Sequence, residues 1–118
     1  MAARVIETTF KARETLKVTT AQDVTPLKEV QDGTELDYIG HVIQEITNEK
    51  TGEVFKSITI KTESGYYATR SEFFIRALSE IIDTIADFPD DEDDEPIILR
   101  IVHRKSKNGN LFATCELA

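Results

Sequence analysis

Along this chain of 118 residues the apolar positions switch between a spacing near two and a spacing near 3.6. The longest stretch of the second kind is Phe74, Ala77, Leu78, Ile81, Ile82 and Ile85. These fall at i, i+3, i+4, i+7, i+8 and i+11, one apolar stripe of an α-helix, with Arg76, Glu80, Asp83 and Asp87 on the far side. Ser71 is suited to the N-cap, and Glu72 follows in the first turn, where a negative charge favours the positive end of the helix. Pro89 and the acidic run at 90–95 end the pattern, so the spacing predicts a helix over 71–88, the only long one in the chain.

On either side the period falls to two. Residues 36–47 read as a strand carrying Tyr38, Ile39, Val42, Ile43 and Ile46, and Gly40 inside it predicts a bulge or tight bend, as at a barrel corner. A loop at 48–52 leads to a second strand over 54–62. There Ile58 and Ile60 share a face with Val54, while Phe55, Ser57, Thr59 and Lys61 share the other. A turn at 63–65 leads to a short third strand, 66–70. Beyond the helix, 97–104 places Ile97, Leu99 and Ile101 opposite Ile98, Arg100, Val102 and Arg104. A polar turn at 105–110 joins it to 111–117, so the last two strands form a hairpin. The first 33 residues mix β-type side chains (Val5, Ile6, Thr8, Thr9, Phe10, Leu16, Val18) with charges and predict an arm or one extra strand. Thr25-Pro26 is an extended step there, and Asp32-Gly33 a turn. Three strands, a helix and two more strands, with a bend in the first, predict one mainly β domain over 1–118. Its barrel, 34–118, is an OB-fold: five strands in Greek-key order, with the helix between strands three and four. Another small α+β sheet with the same element order is the alternative.

Composition narrows the function. With 31% charged and 40% hydrophobic residues the chain is an ordinary globular mixture. No apolar stretch is long enough to span a bilayer, and Met1-Ala-Ala-Arg-Val has no apolar h-region, so a cytoplasmic protein without membrane contact is expected. Cys115 stands alone, which excludes an internal disulfide and a cysteine metal cluster and suits a small core residue. His41 and His103 lie in strands without a metal-spaced partner, and His103 is expected to meet phosphate or solvent. There is no nucleophile elbow, P-loop or GxGxxG, so no enzyme, cofactor or metal is expected. The net charge of −8 argues against a nucleic-acid binder. Six of those negative charges, however, sit in the run 90–95, leaving the remainder close to neutral. That run is expected to be a solvated loop, with engagement of a basic partner as the alternative. It lacks the spaced Asp/Asn ligands and the turn glycine of a calcium loop.

In a barrel of this type the ligand lies across strands two and three, between the first and last hairpin loops. Here the first loop carries Lys50 and the last carries Lys105 and Lys107. Between them come Phe55, Lys61 and one of Tyr66 and Tyr67, with Arg100, Arg104 and Phe112 nearby; alternation leaves open which tyrosine points inward. Rings interleaved with cations are what a single-stranded nucleic acid needs: bases stack at ~1–3 kcal/mol each and the cations follow the phosphates. The rival reading is an OB-type protein-interaction module, a phage or host-takeover adaptor that binds no nucleic acid and uses a strand edge or the acidic run.

The order 36–47, loop 48–52, 54–62, 66–70, helix 71–88, 97–104 and then Lys105-Ser-Lys-Asn-Gly-Asn-Leu-Phe resembles the small OB-fold single-stranded DNA-binding proteins of bacteriophages, particularly phages of lactic-acid bacteria. The resemblance covers residues 34–117 and rests on element order and charge placement. It implies a homodimer or larger homo-oligomer that protects single-stranded DNA during phage DNA replication and recombination in the infected cell. It also implies contacts to recombinase or replication proteins. Stacking would fall to Phe55, a tyrosine of the 66–67 pair and Phe112, and phosphate contacts to Lys50, Lys61, Arg100, Arg104, Lys105 and Lys107. Bacterial relatives end in an acidic tail that recruits partners. This chain ends Cys-Glu-Leu-Ala and carries its acidic run ahead of the fourth barrel strand, which leaves partner recruitment unassigned.

Overall fold

A computed structural model describes residues 2–88 and 95–118. The chain order is β1 (Ala2–Thr8), α1 (Ala12–Thr20), β2 (Val24–Pro26), a 3₁₀ turn (Leu27–Glu29), β3 (Glu35–Thr47), β4 (Val54–Thr62), β5 (Gly65–Thr69), α2 (Glu72–Ala86), β6 (Ile98–Lys105) and β7 (Leu111–Leu117). The sheet runs β2-β5-β4-β3-β6-β7, with β1 added to β3, and every pairing is antiparallel except β2 with β5. β3 makes the sheet curl. Its first residues, Glu35 to Asp37, pair with β6, the rest pair with β4, and Val42 to Thr47 also hold β1 on the other edge. The protein is therefore mainly β, a curled mixed sheet forming a half-barrel, with two helices.

The bend falls where the glycine predicts it. The register of β3 against β4 slips between Tyr38 and Gly40. The missing side chain has a second use, because a Cβ at Gly40 would lie 2.5 Å from the Phe10 ring and 2.5 Å from Thr9 Oγ1. Residues 9 and 10 thus cross β3 where it carries no side chain.

The five predicted strands appear as β3 to β7 with ends within one residue, and β1 is the extra strand. Among the described residues the sheet has seven strands: the five expected in the barrel, the extra strand, and the unforeseen β2. Residues 12–20 are also a helix, where the reading of the N-terminal segment foresaw only an arm or strand. Its β-branched Thr15, Val18, Thr19 and Thr20 hide the pattern. Burial overrides that propensity: Val18 is 1% exposed, and the Thr19 and Thr20 hydroxyls donate back to Leu16 O at 3.1 and 2.7 Å.

One cluster of Leu27, Leu36, Ile43, Ile58, Ile60, Phe74, Leu78, Leu99, Ile101, Ala113 and Cys115 forms the core inside the curl. α2 contributes Phe74 and Leu78, packs on β7, and is stitched there by Ser71. The Ser71 hydroxyl accepts from Phe74 N at 3.3 Å as the N-cap and donates to Ala113 O at 2.6 Å. The predicted stripe runs out of core before its end, since Ile85 is 42% exposed. Pro89 and residues 90–94, the expected helix stop and most of the acidic run, lie outside the described residues. Cys115 is a core residue as expected, and burial pushes its thiol up to about 12.

Both histidines are structural links. The buried His41 is hydrogen-bonded through Nε2 to Glu7 Oε2 on β1 and through Nδ1 to the Tyr38 hydroxyl, each at 2.6 Å. His103, expected to meet phosphate or solvent, is partly exposed and also makes structural contacts. Its Nε2 donates to Val30 O and its backbone N to Asp32 Oδ1, both at 2.7 Å, fixing the turn before β3 onto β6. Among the described residues no helix is long and apolar enough to cross a membrane.

Candidate nucleic-acid interface

Sheet register decides which side chains share the outer face of β4 and β5. Lys61 pairs with Tyr66 and Ile60 with Tyr67. Directly opposed residues share a face, so Tyr67 packs against the core while Tyr66 stands outward beside Lys61. The outward row on β4 is Phe55, Ser57, Thr59 and Lys61. On β5 it is Tyr66 and Ala68, and it continues into Arg70. The guanidinium of Arg70 lies 4.2 Å above the Phe55 ring, a cation–π contact. On β7, Phe112 stacks on Phe73 of α2 with centroids 4.3 Å apart and planes 25° apart. Phe73 itself is 51% exposed.

Between these two aromatic contacts the half-barrel is open. A cleft of about 740 Å³ is lined by Lys28 of the 3₁₀ turn, Ser57 of β4, Ala68 of β5, Arg70, and Leu111 and Phe112 of β7, among others. Among the described residues, none that lines it is acidic. Lys105 is paired with Leu111 and Arg104 with Phe112, so these two cations stand on the strand next to the cleft, and Lys107 lies in the turn beyond them. Lys50 projects from the β3–β4 loop at the end of the sheet where Phe55 sits, opposite Ile46. Of the expected site residues, Phe112 lines the cleft and Phe55 adjoins it through Arg70, while Lys50 stands in the β3–β4 loop away from the lining.

Two predicted cations are occupied by carboxylates. Lys61 Nζ lies 2.6 Å from Glu14 Oε1 on α1, which packs across β3 and β4. The hydrogen bond holds the Glu14 carboxyl below its ordinary range and the Lys61 ammonium above its own. Arg100 is clasped by Glu116 Oε1 at 3.0 Å and Glu35 Oε2 at 3.3 Å, hydrogen bonds that raise its pKa further. These three residues lie side by side in the register of β3, β6 and β7.

Arg70, Lys28 and Phe73 belong to the surface although sequence reasoning passed over them. Arg70 was findable: it shares parity with Tyr66 and Ala68. Phe73 was findable too, as a large ring off the Phe74–Leu78 stripe. Lys28 carried no signal, because only the parallel pairing of β2 with β5 brings its turn to the cleft. No group of three or more potential metal ligands occurs among the described residues. The arrangement offers rings for stacking and unopposed cations for anions. Comparison with protein-family models, with curated proteins and with solved structures gave no match to this chain in any of the three.

Proposed function

We propose that this protein is a non-enzymatic binder of single-stranded DNA with little sequence preference, built on an OB-type half-barrel. The observation that carries the reading is a cleft whose lining, among the described residues, holds cations and a ring but no acid. In a chain of net charge −8 it is walled by Arg70 on Phe55 and by Phe112 on Phe73, lined by Lys28, and flanked on the neighbouring strand by Arg104 and Lys105. Rings and cations side by side bind any strand, because every base has a π-face and every nucleotide a phosphate. The OB reading is supported by β3 pairing with both β4 and β6, by the β6–β7 hairpin, and by a helix between β5 and β6 in chain order. The contacts proposed are Phe55, Phe112, Lys50, Arg104, Lys105 and Lys107, with Arg70 and Lys28 added. Lys61 and Arg100 contribute less while carboxylates hold them. Following the resemblance, the protein acts as a homo-oligomer beside recombinase or replication proteins in a phage-infected cell.

Titration of labelled oligo-dT tests this. With the six proposed cations on phosphates, affinity should fall roughly 300-fold between 50 and 200 mM salt, from a slope of about −0.7 per contact. Phe55→Ala and Phe112→Ala should each weaken binding by roughly 5- to 150-fold, with the circular dichroism spectrum unchanged. Absence of binding, or binding indifferent to salt, overturns the proposal. It would favour the protein-interaction reading, which has one observation behind it: every residue of β1 is exposed, and among the described residues its outer edge pairs with nothing.

A further inference from the structure

The cleft lies at the seam of the half-barrel, where two sheet edges face one gap without pairing. β2 and β7 end the strand order, and Val24 and Pro26 from one edge and Leu111 to Ala113 from the other line the same space. In a closed barrel a backbone ladder fills such a gap. Here about 740 Å³ is left, within the roughly 300–1,000 Å³ typical of small-molecule sites.

The walls state what the gap accepts. Pro26, Leu27 and Ala68 make an apolar side, Phe112 contributes a ring, and among the described residues Lys28 and Arg70 are the only charged groups in the lining. Neither cation has a carboxylate partner among the described residues. The ligand is therefore anionic at one end and flat and apolar at the other. An extended peptide fits less well: Pro26 has no N–H to give a ladder, and a peptide backbone leaves both cations unanswered. The site is also held before any ligand arrives, Arg70 by the Phe55 ring and Phe112 by Phe73, which lowers the ordering cost of binding.

We infer that the seam cleft is a nucleoside-phosphate pocket, with the base against Phe112 and the apolar wall and the phosphate on Lys28 and Arg70. The inference rests on the single-strand reading above and adds to it that one nucleotide leaves the stacked strand and enters the seam. A free mononucleotide presents the same chemistry as a residue of a strand, so the two sources are tested separately.

The experiment uses the full chain in two arms. In the first, amide resonances are followed during titration with dTMP, thymidine and inorganic phosphate. The cleft residues Ala68, Thr69 and Phe112 should shift with dTMP, while thymidine and phosphate each bind about tenfold more weakly or worse. In the second, an oligo-dT carrying a single 2-aminopurine should brighten on binding as that base unstacks. Two variants localise the effect. Lys28→Ala, at an exposed position, should weaken dTMP about tenfold, and Ala68→Leu, which fills the cleft, should abolish both the dTMP shifts and the brightening. Oligo-dT binding without brightening and without dTMP shifts at the cleft overturns the pocket and leaves the single-strand reading standing. Shifts with dTMP but no oligo-dT binding sustain the pocket and overturn the single-strand reading. Failure of both arms overturns both.

Discussion

Replacing Gly40 by alanine tests whether the N-terminal segment is held across β3 by a missing side chain. Gly40 is not among the glycines with positive φ, so alanine meets no backbone objection there. The objection is spatial. The new Cβ would lie 2.5 Å from Phe10 Cζ, 2.6 Å from Phe10 Cε1 and 2.5 Å from Thr9 Oγ1. Favourable carbon contacts lie near 3.5–4.0 Å, so the ring must withdraw by about 1 Å. Thr9 cannot follow freely, because its hydroxyl accepts from His41 N at 2.9 Å and its own N donates to His41 O at 3.1 Å. Overpacking of this kind costs roughly 1–3 kcal/mol, and loosening one such hydrogen bond adds ~0.5–1.5 kcal/mol. Against this, alanine restricts the unfolded chain, a gain of ~0.4–1 kcal/mol. The net expectation is a loss of about 1–3 kcal/mol. In a Thr9→Ala/Phe10→Ala background the obstruction is gone, and the same substitution should be neutral or stabilising by up to ~1 kcal/mol. Urea unfolding followed by circular dichroism on the four proteins of this cycle measures both numbers, with the m-value unchanged. An equal loss in both backgrounds would refute the reasoning.

Three further outcomes are expected. Ser71→Ala removes both the N-cap of α2 and its stitch to Ala113, and should cost about 1–2 kcal/mol, read as a lowered thermal midpoint that Ser71→Thr largely restores. Burial raises the Cys115 thiol from 9.0 to about 12 and the Tyr38 phenol from 10.0 to about 12. Both are acids held neutral by the fold. Their contribution is complete below pH 9 and is lost as pH rises toward 12, because the unfolded chain releases protons that the fold retains. Denaturation midpoints should therefore fall over that window, and less steeply in Cys115→Ala; a flat profile contradicts the assignment. Finally, Glu14→Gln frees the Lys61 ammonium on the outer face of β4. The salt slope of oligo-dT binding should steepen by about 0.7, one phosphate contact, and an unchanged slope means that α1 keeps that end of the face covered.

Much of the architecture was legible in the chain because its signals are local. Period-two alternation marked β3 to β7, the 3.6 period with its serine cap marked α2, and a lone strand glycine marked the slip in β3. Each depends on residues within a turn or a pleat of one another. The N-terminal third was not legible: α1 carries β-branched residues that a helix tolerates only because Val18 is buried, and no local pattern contains that burial. The candidate surface divided in the same way. Parity placed Phe55 and Lys61 on one face of β4, and hairpin pairing put Arg104 beside Phe112.

Sequence alone determined which side chains alternate, where strands turn and which segment is the long helix, since those follow from backbone geometry and the order of apolar residues. Only the tertiary structure decided that Tyr67 rather than Tyr66 turns inward, that Glu14 and Glu35 claim two of the expected cations, and that Lys28 and Arg70 come together on the β2–β5 side of an open seam. Those outcomes depend on which strands become neighbours. Neighbours are chosen by burying the shared core, and a charge or ring carried along on the other face goes wherever that burial puts it.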